Sequence, residues 1–335
     1  MTERLRRMDW AHDRGAQIVV VLLVAVVLAA IPTNERQYAN LIRITFLVLW
    51  YAIMAGAWNI IGGYAGQVSF GHAAFLGTGA YVTGTLWQTF HIDPLLTLPI
   101  AGLAAALYSV IVGAPTLRLR GPYFAIATIG VGEATRLFVS NIDDITGQVI
   151  THGVTGISLP NYDPAKVHYA TVAVFVVVMI TTILIREGRF GLGLFAINMD
   201  RDAAETSGVP TARLQVLAFA ISAFFTACAG SLYAARQQFL DPTTMFGFDK
   251  SIQVVLMPVV GGLGTVWGPV FGALLFGGVQ DQISSLTRNP YLPQLIYGLL
   301  LVLVVLFEPL GVAGLLGRAS SAGRAFVRPR RETTV

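Results

Sequence analysis

Lysine is nearly absent from this 335-residue chain, with Lys166 and Lys250 its only two. Neither follows a glycine, so there is no G-x-x-x-x-G-K-[ST] loop and the chain is not itself a P-loop ATPase. A single cysteine, Cys228, excludes an internal disulfide, and its apolar setting makes it a small buried hydrophobe. No H-E-x-x-H helix, G-x-S-x-G elbow or Cys/His cluster occurs, so neither a catalytic nor a metal site has candidates. Charge is scarce too: 12% of residues, where soluble domains carry about 25%. With 55% hydrophobic residues and a mean hydropathy of +0.67, this is an integral membrane protein. The net charge of +4 comes from arginines crowded toward the two ends, a mark of membrane topology and not of nucleic-acid binding.

Ten apolar segments stand out, at 16–31, 41–61, 70–90, 95–114, 123–140, 168–185, 214–235, 251–260, 266–283 and 292–309. Most approach the roughly 20 residues that a bilayer crossing needs. The predicted fold is therefore all-α and integral to the membrane, with about ten (8–10) transmembrane segments. The 251–260 segment is too short to cross alone and reads as half of a broken helix. The first run follows arginines, as a secretory signal does, but its leader carries Asp9, Trp10 and Asp13, so it reads as a retained helix. Arginine placement puts both termini in the cytoplasm. Residues 1–15 form an N-terminal tail, 16–310 the transmembrane body and 311–335 a basic C-terminal tail. The loop 186–213 then lies inside. The loop 141–167, which has aspartates but no arginine, lies outside.

Two stretches break the apolar pattern. Residues 62–79 hold six glycines (Gly62, Gly63, Gly66, Gly71, Gly77, Gly79) along with Gln67, Ser69 and His72. Residues 261–278 hold seven, including Gly261, Gly262 and Gly264, together with Pro269. Glycine costs about 1 kcal/mol relative to alanine inside a helix, so both stretches read as discontinuous helices. Irregular backbone at membrane depth survives only where protein buries it or water reaches it. Paired interruptions of this kind point to a transporter's central pathway. Their shared Gly-Gly start suggests an internal repeat.

Within the membrane, Glu133 and Arg136 stand three residues apart on one helix face. Such a pair either neutralises itself beneath the outer headgroups or marks a pathway. His72 reads first as a hydrogen-bonding residue at a helix start and second as a substrate contact. On the cytoplasmic side, residues 198–207 read as a short helix capped by Asn198 or Asp200 and stopped by Gly208 and Pro210. A helix of that length is not stable alone, so something should pack on it.

Asp202-Ala203-Ala204, followed after three residues by Gly208, resembles the E-A-A-x-x-x-G coupling signature of ABC importer permeases, with aspartate in place of the first glutamate. It is joined by Gly63-Tyr64-Ala65-Gly66-Gln67-Val68-Ser69-Phe70-Gly71-His72, by Arg120-Gly121-Pro122-Tyr123-Phe124, by Glu133 and Arg136, and by Gly261-Gly262-Leu263-Gly264-Thr265-Val266-Trp267-Gly268-Pro269. Together these resemble the M-type permease of the branched-chain amino acid (LIV-type) ABC importers. The resemblance implies a heteromeric importer of a bacterial inner membrane, with a second permease, two cytoplasmic ATPase subunits and an extracytoplasmic solute-binding protein. ATP and magnesium would sit on the ATPases and no cofactor on this chain. It implies that Asp202, Ala203, Ala204, Glu205 and Gly208 couple to an ATPase. It further implies that Gly62, Gly63, Gly66, Gln67, Ser69, His72, Glu133, Arg136, Gly261, Gly262 and Gly264 line or shape the route. The outer loop, Thr146-Gly147-Gln148-Val149-Ile150-Thr151-His152-Gly153-Val154-Thr155-Gly156-Ile157, is longer than the family's T-G-G-x-x-G-I. Urea or short amides therefore stay open as cargo, and an ion-coupled carrier using Glu133 and Arg136 or a passive channel are the readings from other classes.

Overall fold

The computed structural model describes residues 14–31, 38–146, 150–151 and 153–286, together with Leu295, Gly298 and Leu299. Most of residues 1–15, most of the tenth apolar segment and the whole C-terminal tail lie outside these. The described chain is helical apart from one two-residue strand pair. Its main helices are α1 (Arg14–Ala29), α2 (Ala39–Asn59), α3 (His72–Phe90), α4 (Pro94–Thr116), α5 (Pro122–Thr146) and α6 (Pro164–Glu187). They continue with α7 (Arg189–Met199), α8 (Arg201–Thr206), α9 (Thr211–Arg236), α10 (Pro242–Met245), α11 (Phe248–Gly261) and α12 (Gly268–Leu286). Four spans are long and apolar enough to cross a membrane: Ala39–Tyr64, Pro94–Thr116, Pro164–Glu187 and Thr211–Arg236. The other apolar segments from 16 to 283 are helical as well, but shorter or more polar.

Three helices start on the same device. Asp93, Asp163 and Asp241 each precede a proline, and each carboxylate accepts a backbone N–H of the first turn, from Leu95 (2.8 Å), Ala165 (2.9 Å) and Thr244 (2.8 Å). Proline supplies a helical φ and lacks the N–H that would be orphaned there. These starts share one face of the molecule. There Tyr162 donates to Asp93 at 2.9 Å, and β1 (Ile157–Ser158) pairs antiparallel with β2 (Phe239–Leu240). The opposite face carries the α4–α5 turn, α7 and α8, and an Arg14–Glu187 ion pair places the start of α1 there with the end of α6.

Helix α9 is the hub, packed on α2, α3, α4 and α6. Among its buried residues many are small (Ala218, Ala223, Ala227, Gly230, Ser231, Ala234), which lets backbones close in where they lie, as membrane-helix packing favours. A Cβ on Gly230 would stand 2.0 Å from the Leu76 carbonyl oxygen, and one on Gly79 2.1 Å from that of Ala227. Gly77 and Gly79, expected within a helix interruption, thus belong to a regular helix. Gly77 is glycine because the Phe246 ring occupies the space a Cβ would take, and Gly79 because of the α3–α9 crossing. Gly272, on α12, does the same against the Met257 carbonyl oxygen, at 1.9 Å.

Candidate functional site: two joined helix breaks and a short exposed helix

The first break is confined to residues 60–71. Helix α2 widens into a π turn, Ile60–Tyr64, and the chain then runs irregularly to His72. Gly66, at φ 69°, takes the left-handed conformation that glycine adopts freely. Backbone groups of the break and of the first turn of α3 are met by side chains from three elements, α2, α5 and α11. Trp58 Nε1 donates to the Ser69 carbonyl (2.8 Å), Thr128 Oγ1 accepts from Phe70 N–H (3.0 Å), and Ser251 Oγ accepts from Ala73 N–H (3.0 Å). His72 is fully buried, with Nδ1 3.2 Å from Ser69 Oγ and Nε2 2.8 Å from Ser222 Oγ. Ser222 lies roughly 16 Å along α9 from its start at Thr211. Helix α3 therefore begins deep inside the bundle, and its irregular lead-in is buried in protein at that depth, as the bilayer demands.

The second break spans residues 262–267. Gly262 (φ 130°) and Gly264 (φ 72°) turn the chain, and Thr265 Oγ1 accepts the Gly268 N–H at 2.9 Å to start α12. The two breaks, some 200 residues apart in sequence, meet at one side chain. Asn59, fully buried at the end of α2, donates from Nδ2 to the Thr265 carbonyl (2.9 Å) and accepts the Gly264 N–H on Oδ1 (2.9 Å). A backbone acceptor and a backbone donor fix the orientation of that amide. Gly63 lies against this joint: a Cβ there would come within 2.8 Å of Gly264 N. Gly62, buried over the Trp58 ring, has no more room.

Helix α8 carries the D-A-A sequence. Asp200 caps it, accepting from Asp202 N–H (2.9 Å) and Ala203 N–H (3.0 Å). Gly208, at φ 84°, reverses the chain so that Val209 N–H reaches the Ala204 carbonyl at 3.0 Å. Ala204 is buried, whereas Asp202, Ala203 and Glu205 are exposed. A single helix was expected over 198–207, but the chain breaks at Asp200 because its carboxylate withdraws the N–H groups that would continue α7. Asn198 ends α7 instead of capping α8. Its amide donates to the Gly63 carbonyl at 3.3 Å and leans on Gly66. The 186–213 segment is also more apolar than a solvated loop, since α7 buries Leu194 and Ile197.

Two more contacts tie α8 to its surroundings. Arg120, in the α4–α5 turn, grips Asp202 with both Nη atoms (2.8 and 2.7 Å). That bond holds the Asp202 carboxyl below its ordinary range and raises Arg120. Arg201 Nη1 donates to the Leu117 carbonyl at 3.0 Å. A cleft of about 600 Å³ runs beside them, with Arg189, Phe190, Gly193 and Gly208 among its walls.

Glu133 and Arg136 form an ion pair of 2.5 Å on α5, with Glu133 exposed and Arg136 half-buried, while Thr128 and Gly132 of the same helix face the first break. Gln67 is half-buried and Gly66 exposed at the end of the first break nearest Asn198. Of the expected route residues, the structure thus brings Gly62, Gly63, Gly66, Gly261, Gly262 and Gly264 together, buries Ser69 with His72, and pairs Glu133 with Arg136 on α5. Asn59 and Ser222 were not singled out by sequence, and Asn198 and Arg120 were named only as a possible cap and within a motif. Their signal is an amide or hydroxyl in an otherwise apolar segment, or an arginine at its end.

Branched-chain amino acid transport system permease components match residues 40–305. The high-affinity branched-chain amino acid transport system permease protein LivM of Escherichia coli (strain K12) is 30% identical, over 87% of this chain and 74% of its own length. LivH of Salmonella typhimurium, from the same class of system, is 25% identical over 79% of this chain and 91% of its own. The galactose/methyl galactoside import permease protein MglC of Salmonella typhimurium is 25% identical over 91% and 96%. No solved structure matches. A match over most of the chain, agreeing with the glycine breaks and the D-A-A helix, decides the point: the protein belongs to the family of branched-chain amino acid transport system permease components.

Proposed function

We propose that this chain is one of two unlike permeases of an ATP-driven importer of a bacterial inner membrane. Its cargo would be leucine, isoleucine and valine, delivered by an extracytoplasmic binding protein. Of the importer's two cytoplasmic ATPases one would dock on α8, with Asp202, Ala203 and Glu205 facing it, Ala204 anchoring the helix and Gly208 setting its end. The chain would cross the membrane about ten times with both termini inside, the two glycine breaks being the counterparts of an internal repeat. The route would pass the breaks (Gly62, Gly63, Gly66, Gln67, Ser69, His72, Gly261, Gly262, Gly264). It would also pass the Glu133–Arg136 face of α5, where a charged pair calls for a partner or water instead of lipid.

The observation that carries this reading is the chain of contacts from α8 to the breaks. Asn198, in the last turn of α7 and three residues before α8, holds Gly63, and Gly63 sits on the Asn59 joint that fixes both breaks. Displacement of α8 by an ATPase would therefore reach both interruptions without passing through a flexible loop. Purification of the chain from its native membrane in mild detergent tests the assembly. A second permease and P-loop ATPases should accompany it. Recovery of the chain alone from a preparation that still imports would defeat the proposal.

A further inference from the structure

A second cavity, of about 520 Å³, opens at the α8 face between the end of α4 and the start of α9. Three arginines line it: Arg118, Arg201 and Arg213. Among the described residues, Arg118 and Arg213 have no carboxylate partner. Arg201 spends one Nη on the Leu117 carbonyl, and its Nε is buried without a partner. Gln215 also lines the cavity, is 0% exposed, and has both amide atoms unpartnered. A buried, unsatisfied amide is costly, and a site combining it with three guanidinium groups is written for an oxyanion. Above the cavity, α4 presents Leu103, Leu107 and Ile111, each more than half exposed, in one stripe at helical spacing. Leu217 extends this apolar surface on α9.

We propose that this cavity binds the phosphate of an anionic phospholipid. The headgroup would sit between Arg118, Arg201 and Arg213 with Gln215 beneath it, and the acyl chains would lie along the α4 stripe. Basic pockets between membrane helices at a cytoplasmic surface take such headgroups. The leaflet rests on the cytoplasmic placement of α8 proposed above; the binding itself does not. A bound lipid would brace the Arg201–Leu117 contact and so stiffen α8 against the α4–α5 turn.

The test is retention and stabilisation of the full-length chain, delipidated in mild detergent and titrated with phosphatidylglycerol, phosphatidylcholine or inorganic phosphate. Phosphatidylglycerol should bind saturably, be retained in native mass spectrometry and raise the thermal midpoint, whereas phosphatidylcholine should do neither. Arg118→Gln with Arg213→Gln should weaken it about twenty-five-fold, from about fivefold for each arginine removed. Gln215→Leu should raise the midpoint of lipid-free protein, since it removes an orphaned amide, while abolishing the lipid-induced rise. Equal stabilisation by inorganic phosphate would make the site one for a free anion and overturn the lipid assignment. So would unchanged phosphatidylglycerol retention in the variants. If the arginine pair instead weakens ATPase association with lipid retention intact, the cavity is a protein contact and the proposal fails, while the importer reading stands.

Discussion

Replacing Asn59 with alanine cuts the joint between the two breaks and leaves every other contact of α2 in place. Two hydrogen bonds are lost, both 2.9 Å long, and the Gly264 N–H and Thr265 carbonyl are left without their partner. A buried group stripped of its partner costs about 1–3 kcal/mol. Gly264 and Thr265 are half-buried, so entering water offsets part of this, and about 2–3 kcal/mol in total is expected. Asn59→Asp should be worse, because it keeps the acceptor toward Gly264 but turns a buried charge on the Thr265 carbonyl. Unfolding in detergent would read the stability, and uptake into proteoliposomes with the partner subunits would read the function. A lower thermal midpoint together with reduced uptake is expected. An alanine variant matching the parent in both would refute the idea that Asn59 joins the breaks.

Other substitutions separate backbone, packing and charge. Gly208→Ala meets open space but keeps a φ of 84°, so it should cost about 1–2 kcal/mol through handedness alone and impair import with the chain still folded. Gly208→Asn should do less harm, as uptake assays on both would show. Gly230→Leu drives a side chain into the Leu76 carbonyl and should block accumulation of folded protein, measured as detergent-soluble yield. The Asp202 carboxyl is held below its ordinary range by Arg120, so whatever the pair contributes is present above the unfolded carboxylate value and is lost as pH falls through the lower folded one. Import between about pH 5 and 8 should therefore show no titration from Asp202, and Asp202→Asn should leave the shape of that profile unchanged.

Much of the architecture was legible because it is local. Apolar length placed the helices from 16 to 283, and the glycine clusters placed both breaks. Gly208 announced its left-handed turn by standing three residues before an α9 start preceded by Pro210. What was not legible depends on distance in sequence. Nothing near Asn59 names Gly264, although an amide in an apolar segment marks a group that must find a partner. Glycine itself is ambiguous. Gly66 and Gly264 are glycine for their positive φ, whereas Gly79 and Gly230 are glycine because a neighbouring backbone occupies the Cβ position. Only the packing of α9 tells the two apart. The apolar character of α7 was masked by Gly191 and Gly193, which lower helix propensity; a Cβ on Gly191 would stand 2.0 Å from the Ile185 carbonyl oxygen, so packing requires glycine there.

Coupling by the proposed route requires that motion of α8 reach the glycine breaks through Asn198. Asn198→Ala removes the hydrogen bond to the Gly63 carbonyl and leaves α8, its Asp200 cap and the Arg120–Asp202 pair untouched. The most direct test is the number of solute molecules imported per ATP hydrolysed by the reconstituted complex carrying this variant. Assembly and hydrolysis should persist while import per ATP falls several-fold. An unchanged ratio would contradict it and send the coupling path elsewhere, with the Arg120–Asp202 link to α5 the next candidate.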